Sequence, residues 1–217
     1  MTQSYFIVGT DTNVGKTYVA SALIRHFVNA GFNTVGMKPI ASGCEMTAQG
    51  EWMNEDVQVL SSASNVTAPL NLINPYRFTP AIAPHIAAAQ AGVDIDARVI
   101  TNAYDDLSKL ADVVIIEGAG GFFVPINATE TLADLAVMLN LQIILVVGMR
   151  LGCINHALLT VAAIQARGLT LAGWVANQLE PDMPMFAENL DSLQQRIAAP
   201  YLSVVRWQED VHMWSSL

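Results

Sequence analysis

Tyr5-Phe6-Ile7-Val8-Gly9, continued by Thr10-Asp11-Thr12-Asn13-Val14-Gly15-Lys16-Thr17, decides the fold. An apolar run ends in a Gly-flanked turn that opens, through Gly-Lys-Thr, onto a helical pattern. That arrangement holds a nucleoside triphosphate: backbone N–H groups cradle the phosphates, the lysine neutralises the β/γ oxygens, and the threonine hydroxyl ligates Mg²⁺. The expected phosphate-binding residues are Asn13, Val14, Gly15, Lys16, Thr17 and Tyr18. The spacing is unusual. The common pattern puts glycine at position 10, where this chain has Thr10, and Gly9 makes the loop one residue longer.

Outward from this loop the chain alternates apolar runs with helical patterns. Strands are expected near 4–9, 33–37, 112–116, 142–147, 171–176 and 202–205. Helices are expected near 15–30, 55–64, 81–91, 96–109, 130–139, 154–167 and 184–197. Val113-Val114-Ile115-Ile116 and Ile143-Ile144-Leu145-Val146-Val147 are continuous and rich in β-branched residues, as strands buried on both faces require. Gly31 and Gly168 act as helix stop signals ahead of the next strand. The alternation predicts a three-layer α/β/α fold with a mostly parallel sheet, built as a single domain over residues 1–217.

Composition narrows the function classes. Hydrophobic residues make up 53% and charged residues 13%. The most apolar stretch, Ile143 to Met149, falls far short of the ~20 residues that span a bilayer. No basic leader precedes the first strand, and Cys44 and Cys153 form neither a disulfide framework nor a metal-ligand spacing. A reducing cytoplasm is therefore expected. The net charge of −9 disfavours nucleic acid and anionic membrane as partners. The only lysines are Lys16, Lys38 and Lys109, and the first two sit just past the ends of the first two expected strands. In an acidic chain that focuses an anionic substrate there.

Sites in such sheets lie beyond the carboxyl ends of the strands. The second strand ends in Lys38-Pro39-Ile40-Ala41-Ser42-Gly43, the third in Glu117-Gly118-Ala119-Gly120-Gly121, and the fifth in Asn177. Glu117 stands where a second carboxylate reaches a cation beside the phosphate-loop threonine. Asp56, at the start of an expected helix, reads alone as a cap or first-turn charge. Lys38 reads either as a solvated lysine or, with Pro39, Ser42 and Gly43, as part of an anion site. No histidine has metal-ligand spacing, and Trp52, Trp174, Trp207 and Trp214 are expected to be packing residues.

Taken together, the motifs resemble the dethiobiotin synthetase family. They are Gly-Thr-Asp-Thr-x-Val-Gly-Lys-Thr at 9–17, Lys-Pro-Ile-Ala-Ser-Gly at 38–43, Ile-Glu-Gly-Ala-Gly-Gly at 116–121, Val-Val-Gly at 146–148, Leu-Gly-Cys-Ile-Asn-His at 151–156 and Gly-Trp-Val-Ala-Asn at 173–177. The resemblance implies a P-loop NTPase fold and an ATP-dependent ring closure on 7,8-diaminononanoate and CO₂, through a carbamate and a carbamic–phosphoric anhydride. It implies Lys16 and Lys38 as catalytic residues, and Thr17, Asp56 and Glu117 as Mg²⁺ ligands. Thr12 and Ser42 would complete a carbamate pocket with Lys38. The nucleotide would meet the phosphate loop, Asp56, Glu117, Gly118, Ala119 and Gly120, with Asn177, Gln178, Arg206, Trp207 and Gln208 at the base. The resemblance also implies a homodimer with its site at the subunit boundary, where Gly152, Cys153, Ile154 and Asn155 of one chain meet the carboxylate tail bound by the other.

Two positions depart from the family pattern. Asn13 stands where Glu or Gly is common. Near the C-terminus Val205-Arg206-Trp207-Gln208 replaces an Ile-Pro-Trp-Leu-like turn, so the clamp on the base is altered and the terminal helix is expected to be largely missing. A switch ATPase of the plasmid-partition or division-site class is the alternative reading. That class places a second lysine early in the phosphate loop, and residues 9–14 contain none. A glutamine-dependent cobyric-acid-type synthase would need an amidotransferase domain, for which 217 residues leave no room.

Overall fold

A computed structural model describes residues 2–48, 50–209 and 214. In chain order the elements are β1 (Gln3–Gly9), α1 (Lys16–Asn29), β2 (Thr34–Met37), β3 (Ile40–Ser42), β4 (Glu45–Met46), β5 (Trp52–Met53), α2 (Glu55–Ala63), α3 (Leu70–Ile73) and β6 (Tyr76–Phe78). They continue with α4 (Pro84–Ala91), α5 (Ala97–Leu107), β7 (Val113–Gly121), α6 (Leu132–Leu139), β8 (Gln142–Met149), α7 (Cys153–Ala166), β9 (Leu171–Gln178), α8 (Phe186–Arg196) and β10 (Tyr201–Val205).

Six strands form one sheet in the order β10-β9-β8-β1-β7-β2, and every neighbouring pair is parallel. Strand alternation sends successive side chains to opposite faces. Tyr5 and Ile7 pack with Leu23, Ile24 and Phe27 of α1 and Leu60 of α2. Phe6 and Val8 pack in a separate cluster with Ile100 and Leu107 of α5, Leu135 of α6 and Val161 of α7. These two clusters on one sheet are the three layers the alternation predicts. β1 lies centrally, between β7 and β8, so its C-terminal turn is flanked by the ends of both neighbours. This is the switch-point position at which open parallel sheets bind ligands.

Three strands run past their expected C-terminal ends. β7 continues past Glu117 to Gly121, because Gly121 still pairs with Gly9. β8 reaches Met149 and β9 reaches Gln178, both paired to the end. The apolar run therefore marks only the buried part of each strand. Two small sheets were not expected: β3 pairs in parallel with β6, and β4 pairs antiparallel with β5. They contain two or three residues per strand, too few for any periodicity to register. The short α3 was likewise not expected. Among the described residues no helix is long and apolar enough to cross a membrane. The stretch in which the terminal helix was expected to be missing lies, apart from Trp214, outside the described residues beyond Glu209.

Candidate active site

The loop from Thr10 to Gly15 folds back over the end of β1 and depends on close packing at Gly9. A Cβ there would lie 2.6 Å from Val14 Cγ2, 3.0 Å from the Asp11 carbonyl oxygen and 3.1 Å from Lys16 Cδ. The glycine one residue early in sequence is thus the one that lets the loop and the lysine stem approach the strand. Asn13 adopts φ 56, a left-handed conformation that asparagine tolerates better than most residues. Gly15 adopts φ 86 and starts α1.

Two lysines, a threonine and two carboxylates converge at the loop. Thr12, Asn13, Gly15, Lys16, Thr17 and Tyr18 line a cavity of about 350 Å³ together with Lys38, Asp56, Glu117 and Gly120. Lys16 Nζ donates to the Asp11 carbonyl at 3.0 Å. Lys38 Nζ donates to Glu117 Oε1 at 2.6 Å and to the Gly118 carbonyl at 3.3 Å, and lies 2.8 Å from Asp56 Oδ2. Thr17 Oγ1 lies 2.8 Å from Asp56 Oδ1 and 2.9 Å from Glu117 Oε1, with one proton to serve both. Asp56 can face this site because Asn54, not Asp56, caps α2: its Oδ1 accepts the Asp56 N–H at 3.0 Å.

Burial shapes the charges. It is the largest influence on Lys16; with the nearby Lys38 ammonium it pushes the Lys16 pKa down to about 8, against the pull of Glu117, Asp56 and Asp11. Burial opposes charge on Lys38 and on Glu117 alike. At 2.6 Å the pair is held as an ion pair, and the carboxylates of Glu117 and Asp56 raise Lys38 above the usual lysine range. Burial raises Asp56, but the charges and hydrogen bonds of Lys38 and Thr17 outweigh it and leave the carboxyl below its usual value.

The donor set fits a hard divalent cation. Two carboxylates and a hydroxyl offer oxygen ligands, and Glu117 Oε2 is buried with no hydrogen-bond partner. Among the described residues no three His, Cys, Asp or Glu side chains form a metal cage. A cation here would therefore complete its shell with phosphate oxygens and water, as Mg²⁺ characteristically does.

Beside the loop, a cavity of about 460 Å³ is bordered by Asn13, Gly15, Tyr18, Asn177, Gln178 and residues 205–209. Asn177 Nδ2 donates to the Val14 carbonyl at 2.8 Å, so this side chain braces the phosphate loop from β9. Gln178 Nε2 donates to the Glu180 and Pro181 carbonyls at 2.9 and 3.0 Å. Arg206 is exposed, and its guanidinium lies 4.2 Å from the centroid of the Phe186 ring. Trp207 and Gln208 border the same cavity, and Trp207 is 42% exposed rather than packed in the core. Trp52 is also 44% exposed, whereas Trp174 is fully buried.

The other expected substrate residues lie apart. Ser42, at the end of β3, has a buried Oγ with no partner and does not border the 350 Å³ cavity. Gly118 and Ala119 continue β7, with the Gly118 carbonyl turned to Lys38. Gly152, Cys153, Ile154 and Asn155 form the start of α7 and are likewise absent from that cavity. Cys153 is buried, so its backbone rather than its thiol is what this turn can present. Sequence reasoning missed Arg150, whose guanidinium pairs with Asp11 at the mouth of the loop. A cation directly after the β8 run was the available signal.

A family described as an AAA domain matches residues 3–214. Among solved structures, the septum site-determining protein MinD of Pyrococcus horikoshii, complexed with Mg-ADP, superposes with a TM-score of 0.56 at 16% identity, covering 95% of this chain and 82% of that one. The cell division protein FtsY of Thermotoga maritima superposes with a TM-score of 0.53 at 15% identity, covering 99% and 66%. Both likenesses concern the fold alone, which is that of P-loop NTPases. Sequence relatives are far nearer. The ATP-dependent dethiobiotin synthetase of Nitrosospira multiformis is 50% identical over 210 residues, 97% of this chain and 91% of that protein. That of Aromatoleum aromaticum is 54% identical over 203 residues, 94% of this chain and 90% of that protein. Identity of this depth over nearly the whole length, on a fold that gathers Lys16, Thr17, Lys38, Asp56 and Glu117 into one cleft, means that the chain belongs to the ATP-dependent dethiobiotin synthetase family.

Proposed function

We propose that the chain is a single-domain ligase that closes the ureido ring of dethiobiotin from 7,8-diaminononanoate, CO₂ and ATP, in biotin biosynthesis. The observation that carries the reading is the meeting of the Lys16 and Lys38 side chains at one cavity, reached from two different strand ends. One amine of the substrate takes up CO₂ as a carbamate. A carbamate oxygen attacks the γ-phosphorus, and the second amine then attacks the carbonyl carbon of the mixed anhydride, closing the ring and releasing phosphate. The substrate supplies its own nucleophiles, so the protein's task is to position the groups and neutralise their charge. Positioning of this kind can contribute about 7–11 kcal/mol.

In this reading Lys16 neutralises the β- and γ-phosphate oxygens, and the loop N–H groups of Asn13 to Thr17 hold the phosphates. Lys38 binds the carbamate oxygens beside the transferring phosphoryl group, with Thr12 at the same cavity wall; Ser42, whose buried hydroxyl lacks a partner but does not border this cavity, stands outside that pocket. Thr17, Asp56 and Glu117 would hold Mg²⁺, which supplies electrostatic stabilisation of the transferring phosphoryl charge. The nucleobase enters the cavity bordered by Asn177, Gln178, Arg206, Trp207 and Gln208.

Homodimerisation is part of the proposal. Leu151 is 98% exposed, and Leu159 and Phe123 are more than half exposed. Leu151 adjoins the turn Gly152–Asn155, which the resemblance assigns to the substrate tail bound by the partner, and Leu159 and Phe123 border a common cavity. A cytoplasmic location and the absence of nucleic-acid or membrane partners fit the net charge of −9. Phosphate release tests the reading. MgATP turnover rises on adding the diamine with bicarbonate; a rise with DNA or lipid vesicles instead would favour the switch ATPase.

A further inference from the structure

The Lys38 ammonium lies between Glu117 Oε1, at 2.6 Å, and Asp56 Oδ2, at 2.8 Å. The same two carboxylates, joined by the Thr17 hydroxyl, are the oxygens a divalent cation needs. An ammonium and Mg²⁺ would draw on the same two carboxylates, and two cations held that close in a buried cleft repel strongly. Each is therefore held less tightly while the other is in place.

We propose that Lys38 and the divalent cation compete for Glu117 and Asp56, so that metal loading displaces the Lys38 ammonium into the phosphoryl-transfer cavity. Loading the metal and freeing the lysine for the carbamate are then one event. The competition stands on the geometry; the purpose of the freed lysine rests on the ligase reading above.

Three observations support it. Glu117 is 1% exposed, and an unpaired buried carboxylate is unfavourable, so some cation must accompany it in the unliganded protein. Lys16, the other ammonium at this cavity, donates to the Asp11 carbonyl instead. Lys38 also borders the cavity, so rotation about its side-chain bonds carries the ammonium from the carboxylates into it. Nucleotide without metal leaves Lys38 in place, whereas metal-loaded nucleotide releases it.

The chain's three lysines make the event directly observable. Wild-type protein labelled with ¹³C at lysine Cε gives three signals, and Lys38→Arg and Lys109→Arg assign them. ADP alone is expected to leave the Lys38 signal in place, and titration of Mg²⁺ to saturation with ADP is expected to shift it well beyond that of Lys109. A Lys38 signal unmoved at saturating MgADP, or moved as far by ADP alone, overturns the proposal. A second arm measures Mn²⁺ affinity by electron paramagnetic resonance without nucleotide. Lys38→Met is expected to bind Mn²⁺ about tenfold or more tightly than wild type, and equal or weaker binding by the folded variant overturns the proposal. Ring closure assayed on the wild-type sample separates the two readings. Product formed with either arm failing refutes the competition alone, while both arms holding without product refutes the ligase reading alone.

Discussion

Replacing Gly15 by alanine places a Cβ 2.1 Å from Asn177 Nδ2, at a residue whose φ is 86. Two separable costs follow. Holding alanine in the left-handed region costs about 1–2 kcal/mol. Pushing Asn177 off the Val14 carbonyl, with which it makes a buried bond of 2.8 Å, costs about 1–3 kcal/mol. Together they reach about 2–5 kcal/mol, a large fraction of the ~5–15 kcal/mol that stabilises a typical domain. Asn177→Ala alone should cost about 1–3 kcal/mol through the same lost bond. In the double variant the clash is gone and only the backbone term adds to the Asn177→Ala cost. The double variant is therefore less destabilised than the sum of the singles, by about 1–3 kcal/mol. Urea unfolding of the four proteins, followed by the fluorescence of fully buried Trp174, measures this directly. Single costs that add to within about 0.5 kcal/mol would refute the idea that Asn177 braces the phosphate loop.

The Lys16 pKa of about 8 predicts that kcat/KM for ATP falls above pH 8, because the free enzyme's lysine loses its charge. In kcat the same limb moves to higher pH, since bound triphosphate restores the proton; a limb at one pH in both would contradict this. The folded pKa lies below the ordinary 10.5, so the unfolded chain holds the proton longer and stability from this group rises between about pH 8 and 10.5. Lys38→Ala should lower turnover by about 100-fold or more while ATP affinity, read by calorimetry, does not fall; an equal loss of ATP affinity would put Lys38 on the phosphates. Arg206→Ala should weaken ATP binding about two- to fivefold, because its contact with Phe186 tethers residues 205–209, which border the proposed nucleobase cavity, and is worth about 0.5–1 kcal/mol. Unchanged affinity would make Arg206 a bystander. Leu159→Asp should convert the proposed dimer to monomer in light scattering, because it would place a charge in the proposed apolar contact; a dimer that persists would remove Leu159 from that contact.

The sequence was most legible where one segment carried both local pattern and chemistry. β1, its loop and α1 are continuous, and Gly9, Lys16 and Thr17 stand in the geometry that their order announces. The sheet strands were legible as apolar runs, although their ends were not, because pairing continues through polar and glycine residues that carry no apolar signal. Contacts made across long stretches of chain left no local trace. β3 meets β6 across more than thirty residues, and Asn177 reaches the Val14 carbonyl across 163. Asp56 was ambiguous alone because a first-turn aspartate is common; Asn54 taking the cap left it available to Lys38 and Thr17. Arg206 stays exposed, and its contact with Phe186 left no local trace because the ring lies twenty positions earlier on α8.

The most direct measurement is formation of the cyclic urea itself. Purified protein is incubated with MgATP, 7,8-diaminononanoate and ¹³C-bicarbonate, and the product is followed by mass spectrometry beside released phosphate. One ¹³C atom per dethiobiotin and one phosphate per ring closed are the predicted result, with Lys38→Ala showing a matching fall in both. Phosphate released without labelled cyclic urea would contradict it.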